Sequence, residues 1–182
     1  DMGPVPSEDI IDMNAKASLT IYKYDMTGAQ KAGVNTSSFV ATGEKNTAAE
    51  TALANFALKG VEFTYLNVGR IRTKSEAGHV NVEYEIPTSL AGIIGVGNGG
   101  FYTSDEINAA LAGALAENTS TKNKLENYIK SNGTAMTLTD ANGVTTATDL
   151  SVGLYLVVET RVPEEVHTTI DQFVVSLPMT DV

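Results

Sequence analysis

The sequence predicts a mainly β protein, an antiparallel β-sandwich with a helical insertion at about residues 91–133. Short segments of alternating apolar and polar residues are separated by turn residues, which is typical of half-buried antiparallel strands. Between the third and fourth of these segments, apolar residues recur at helical spacing instead. The chain has 182 residues, 42% of them hydrophobic, so it is long enough to bury a core.

The first strand is predicted at Ser18-Leu-Thr-Ile-Tyr-Lys23-Tyr-Asp25, after a flexible leader over residues 1–16. Leu19, Ile21 and Lys23 share one face, because side chains alternate along a strand. A lysine in line with two core-type residues conflicts with simple burial. Local conflicts of this kind are expected mainly at functional sites, so Lys23 is a candidate functional residue.

The remaining elements are justified by their own local patterns. Capping boxes begin helices at 47–50 and 103–106, and Gly133 ends the second helix of the insertion. The segment 26–46 is predicted as a polar loop. Alternation predicts strands over 61–66, 80–86, 135–139, 144–148, 154–158 and 173–177, with Asp140-Ala-Asn142-Gly143 as a hairpin turn between the 135–139 and 144–148 strands.

The strand at 154–158 runs directly into an acid. Tyr155-Leu-Val-Val-Glu159-Thr160, with Pro163 following, reads Tyr-x-Val-x-Glu-Thr-x-x-Pro. This pattern resembles the E-box of Gram-positive sortase-assembled pilins, in which leucine is commoner than valine at the third position. Three more stretches resemble that family, namely the first strand, Lys59-Gly-Val-Glu-Phe63, and Phe173-Val-Val-Ser-Leu-Pro178-Met-Thr180 before the family's pilin motif.

The order of these segments resembles the N-terminal domain of a SpaA-type major pilin. The resemblance implies an immunoglobulin-like sandwich of the CnaB type, with residues 17–182 forming one such domain, truncated before its last strand. It also implies site roles. Lys23 is the candidate lysine of an intramolecular isopeptide bond, and Glu159 is the catalytic E-box acid.

The chemistry of such a bond agrees with the character of these two residues. An ammonium has no lone pair, so the attacking amine must be neutral, and burial among apolar groups favours that form. A protonated carboxylic acid nearby polarises the amide carbonyl and transfers protons. In the alternative without a chemical function, Lys23 reaches solvent at the sandwich edge and Glu159 is a solvated strand end.

In the family, a Tyr-Pro-Lys-Asn type motif follows the last of the four segments. Its lysine is the nucleophile that a class C sortase uses to join subunits, and its asparagine can be the partner of the first-strand lysine. This chain ends at Val182, before any such motif. We therefore expect the partner asparagine and the pilin-motif lysine to be absent from this chain, and the bond not to form within it.

Composition and motif context argue against several other functions. The net charge of −10 disfavours nucleic-acid binding, and the lack of cysteine excludes disulfides and thiolate metal sites. No stretch is long and apolar enough to span a membrane. No cofactor or metal is predicted, because His79 and His167 are not a ligand-spaced pair and Asp140-Ala-Asn142-Gly143 lacks an acidic closing ligand for calcium.

Two further motifs are interpreted as ordinary structure. Gly95-Val-Gly-Asn-Gly-Gly100 is interpreted as a loop rather than a dinucleotide site, and Leu177-Pro-Met-Thr-Asp181 as a strand exit rather than a sorting signal.

The sequence thus predicts a structural domain of a cell-surface pilus shaft, extracellular and polymerised head to tail by a class C sortase. It is not expected to be an enzyme beyond single-turnover formation of its own isopeptide bond. Its partners are other pilin subunits and the sortase, with host surface ligands also open. The alternative is a ligand-binding or stalk domain of a cell-wall-anchored adhesin, and a third class is a secreted hydrolase on a β-sandwich scaffold.

Overall fold

The computed structural model describes residues 12–38, 47–117, 119–165 and 172–177. The strands in this part of the chain are β1 (Lys16–Tyr22), β2 (Glu62–Asn67), β3 (Ile71–Glu76), β4 (His79–Ile86), β5 (Gly100–Tyr102), β6 (Thr134–Ala135), β7 (Val144–Ser151), β8 (Gly153–Arg161) and β9 (Gln172–Leu177). The helices are α1 (Met26–Lys31), α2 (Thr47–Leu53), α3 (Thr88–Ile94), α4 (Ser104–Glu117) and α5 (Thr119–Asn132).

The fold is layered around a central antiparallel sheet in the order β6-β2-β8-β9. One face of this sheet packs against the two-stranded sheet of β1 and β7, and the other face packs against the helices of the insertion. A third antiparallel sheet, β3-β4-β5, continues the helical side. The predicted β-sandwich with a helical insertion is therefore confirmed.

Strand β8 is the centre of the molecule because both of its faces are covered. Every residue from Gly153 to Thr160 is buried. Leu154, Leu156 and Val158 belong to the core on the helical side. Tyr155 and Val157 belong to the core shared with β1 and β7. The same alternation places the side chain of Glu159 on the face of Tyr155 and Val157.

The insertion buries its apolar stripe on the central sheet. Leu125 and Ile129 of α5, four residues apart, are fully buried in the same core as Leu154 and Leu156. Helix α3 ends at Gly95 in the left-handed conformation, and the glycine-rich loop that follows leads into β5. A dinucleotide loop needs a preceding strand and an immediate helix, so this context excludes that interpretation.

Some local predictions were wrong. Residues Met26–Lys31, predicted as loop, form a helix whose first turn is capped by the Asp25 side chain, which accepts from the Gly28 amide at 2.9 Å. The exposed strand β3 was missed, because its six residues lack apolar alternation. The predictions for residues 1–11, 39–46 and 178–182 lie outside the described residues.

The predicted hairpin at 135–144 was only half right. Its turn is present, with the Asp140 amide donating to Val144 O at 3.0 Å and the Gly143 amide donating to Asp140 O at 2.9 Å. The two described segments on either side form no backbone ladder with each other, however, and are joined only through the Thr145 hydroxyl, which donates to Thr137 O at 2.6 Å. Strand β6 pairs with β2 and β7 pairs with β1, so the turn carries the chain from one sheet of the sandwich to the other.

Candidate lysine–glutamate site

Lys23 follows the last residue of β1 and is held by its backbone on both sides. Its amide donates to Gly143 O at 2.7 Å, and its carbonyl accepts from the Leu58 amide at 3.0 Å. These two hydrogen bonds fix the backbone of Lys23 although the β1–β7 ladder ends at Tyr22. The alternation of β1 continues, so Lys23 projects on the same side as the buried Leu19 and Ile21, and only 9% of its surface is exposed.

Glu159 lies near the end of β8 and has no exposed surface. Its backbone is in register with Phe63 of β2, itself buried. The apolar residues of the core on this face are Leu19, Ile21, Val61, Phe63, Met136, Leu150, Tyr155 and Val157. The complete burial of Glu159 therefore contradicts the alternative in which it is a solvated strand end.

The structure brings the two predicted site residues together. Lys23 Nζ lies 3.3 Å from Glu159 Oε1, with side-chain exposures of 11% and 0%. The residues are far apart in sequence and come from the two facing sheets, so the contact spans the sandwich core. Removing two opposite charges from water is costly, and a pair so placed is weak evidence for a purely stabilising role.

The arrangement also suits chemistry that needs no water. Transfer of one proton from the ammonium to the carboxylate within the contact gives a neutral amine beside a carboxylic acid. The proton transfer needs no other group, because the two atoms are already in contact. A nucleophilic amine and a general acid would then stand side by side in an apolar surrounding.

Residues that position Lys23 were missed from the sequence. Gly143 has a φ of +76°, and a Cβ at this position would lie 2.4 Å from the Lys23 carbonyl oxygen. Thr139, 2% exposed, accepts from the Val61 amide at 3.0 Å and donates to Leu58 O at 2.6 Å. The turn residues were recognised, but nothing in the pattern indicated that they press against the site lysine.

Another residue of β8, the buried Tyr155, packs in the same core four residues before Glu159. The Tyr155 hydroxyl donates to Ser151 O at 2.6 Å, and its ring is tilted against that of Tyr65 with centroids 5.8 Å apart. Burial raises the pKa of Tyr155, while its hydrogen bond with Asn67 acts in the opposite direction. Tyr155 therefore stays a neutral packing residue rather than a base.

The remaining sequence features are the two histidines, possible metal ligands and possible membrane-spanning helices. His79 lies at the exposed start of β4, whereas His167 is outside the described residues. Among the residues that the structure describes, no group of three or more potential metal-ligating histidines, aspartates or glutamates occurs. None of the described helices is long and apolar enough to cross a membrane.

Comparison with known proteins gives a family for the C-terminal part of the chain. Residues 98–182 match the family model described as Gram-positive pilin subunit D1, N-terminal domain. The match includes Glu159 and β8, but it begins after Lys23 and β1. Among curated proteins and among solved structures, nothing matches. The match agrees with the resemblance found in the sequence, and residues 98–182 are thus similar to the N-terminal domain of a Gram-positive pilin subunit.

Proposed function

We propose that this domain belongs to the shaft subunit of a cell-surface pilus that a class C sortase polymerises head to tail. The family supports the coarser part of this statement, a pilus subunit whose partners are other pilin subunits at the cell surface. The proposal extends it to the shaft, the sortase and an isopeptide bond. The observation that carries it is the buried contact between Lys23 and Glu159.

In the proposed reaction, the neutral Lys23 amine attacks the side-chain carbonyl carbon of an asparagine. Glu159, as the acid, donates a hydrogen bond to the carbonyl oxygen and then relays protons to the leaving nitrogen. A carbon–nitrogen bond forms, the amide nitrogen leaves as ammonia, and no other reactant is consumed. Such a covalent tie between strands suits a fibre subunit that has no cysteine for disulfides.

The partner asparagine is proposed to lie on a strand that follows Val182 in the parent protein. In the described residues, β1 has a ladder on one edge only, to β7. A strand added at the other edge of β1 would run beside Lys23. Such addition uses the free backbone groups of an edge strand, whether the strand comes from the same chain or from a neighbour.

Intact mass of the parent protein tests the chemistry. We expect a deficit of one ammonia in the wild type, and its full recovery in Lys23→Met and in Glu159→Ala. A surface variant, Lys130→Met, is the control and should keep the deficit. A deficit that survives in Lys23→Met would show that another lysine is joined, and a deficit in residues 1–182 alone would mean that a different asparagine is the partner.

Polymerisation is tested separately by incubating the parent protein with a class C sortase. A ladder of covalent multimers is expected on a denaturing gel, including with Lys23→Met, because the proposed inter-subunit lysine is a different residue. Absence of a ladder together with single attachment to the cell wall would favour the adhesin alternative.

A further inference from the structure

A polar cavity lies on the side of β1 opposite to the lysine–glutamate site. Its volume is about 320 Å³, and it is lined by Tyr22, Tyr24, Glu50, Ala54, Asn142 and Val144. Tyr22 and Tyr24 flank Lys23 in sequence and therefore project from the other face of the strand. The proposed isopeptide chemistry uses none of these residues.

Three parts of the fold build the walls of this cavity. Tyr22 is paired with Val144 across the β1–β7 ladder. Glu50 belongs to α2, and this helical segment is tied to the end of β1 because the Asp25 amide donates to Phe56 O at 2.8 Å. Asn142 comes from the turn, where its amide donates to the Asp140 carboxylate at 2.8 Å. The polar groups are thus held by hydrogen-bonded backbone.

Among the residues that line the cavity, the charged one is the acid Glu50. Burial, the charge of Glu50 and a hydrogen bond to its carboxylate all raise the pKa of Tyr22. Burial and the charge of Glu50 also raise the pKa of Tyr24. The field of Glu50 therefore reaches both phenols. Within the described part of the chain, the cavity lining includes no lysine, arginine or histidine, and the whole protein carries a net charge of −10.

We propose that this cavity binds an alkylammonium group. Tyrosine rings attract cations through their negative faces, and a carboxylate beside them adds charge attraction and a hydrogen-bond acceptor. The Asn142 side chain offers a further acceptor oxygen. Val144 and Ala54 provide apolar surface for the carbon chain that carries the charge. The same chemistry is presented by a lysine side chain of a polypeptide and by a quaternary ammonium group.

The test is a titration of the isotope-labelled protein followed by nuclear magnetic resonance. The probes are N-acetyl-lysine methylamide and choline, and N-acetyl-norleucine methylamide is the neutral control. We expect at least one cationic probe to shift the signals of Tyr22, Tyr24 and Asn142, with an affinity that falls as salt is added. In Glu50→Gln the affinity should fall at least ~fivefold. The exposed Glu76→Gln is the matched control and should leave the affinity unchanged.

The two cationic probes also distinguish which kind of molecule supplies the alkylammonium group. Tighter binding of the lysine derivative indicates a polypeptide partner, and tighter binding of choline indicates a quaternary ammonium ligand. Equal binding of the norleucine derivative would overturn the proposal, because the cavity would then be recognising apolar surface. No shift at about 50 mM of either cation would overturn it as well, since even a weak specific site is occupied at that concentration. None of these outcomes depends on the Lys23–Glu159 chemistry.

Discussion

Replacing Lys23 with methionine is expected to destabilise residues 1–182 strongly at neutral pH. Methionine keeps an unbranched side chain, so the main change is the loss of the charge that faces Glu159. The carboxyl group stays at 0% exposure, 3.3 Å from where the ammonium stood. A buried charge that loses an opposite charge at contact distance costs free energy.

The size of the effect follows from the geometry. At 3.3 Å the charge attraction is about 5 kcal/mol with an effective dielectric constant near 20. Breaking a buried pair by removing one partner costs about 3–5 kcal/mol in proteins. We therefore expect a loss of about 4 kcal/mol in the free energy of unfolding. With a urea dependence of about 2 kcal/mol per molar, the unfolding midpoint falls by about 2 M.

The assay is urea unfolding at neutral pH followed by circular dichroism. Lys130→Met is the matched control. Its partner Glu126 lies one turn away on the surface of α5 at 2.9 Å, so the loss should be only about 0.3–0.5 kcal/mol.

A double variant separates pairing from burial. Lys23→Met combined with Glu159→Leu removes both charges and should equal the wild type or exceed it by up to about 4 kcal/mol. A loss below about 1 kcal/mol for Lys23→Met alone, the value typical of exposed pairs, would refute the reasoning. So would a double variant whose loss equals the sum of the losses of the two single variants, since the two residues would then act independently.

Three further predictions concern the surroundings of the site. Gly143→Ala should cost about 2–4 kcal/mol in urea unfolding, because its Cβ meets the site lysine's carbonyl at 2.4 Å, whereas Gly78→Ala, also at positive φ but with open space around it, should cost only about 1 kcal/mol. Thr139→Val should cost about 2–3 kcal/mol, since it removes the hydrogen-bond partner of a buried amide and of a partly buried carbonyl. Glu50→Gln should lower the pKa of Tyr22 towards its ordinary value, measured by ultraviolet titration, and an unchanged pKa would show that the two groups do not interact. In the wild type the raised value means that this tyrosine's contribution to stability is complete below pH 10 and is lost as the pH rises through its folded pKa.

The sequence was informative wherever a single period or motif controls the structure. Alternation identified β1, β4 and β8, and apolar spacing identified α4, which begins at a predicted capping box, and α5, whereas α3 was missed. It failed where tertiary pairing decides. Strand β3 has an exposed, charged sequence and is a strand only because it pairs with β4. The 135–139 segment alternates well, yet its backbone bonds to the chain around β2 rather than to β7, with the Met136 amide donating to Phe63 O and the Thr139 amide to Val61 O.

The candidate site divides in the same way. The sequence by itself determined that Lys23 shares a face with core residues and that Glu159 ends a buried strand, because both follow from the two-residue period of β structure. Only the tertiary structure decided that the two side chains meet at 3.3 Å, since that depends on how β1 and β8 pack across the sandwich. It also decided the role of Gly143, whose lack of a side chain lets the turn approach Lys23. Such a contact between distant segments has no local pattern from which it could be inferred.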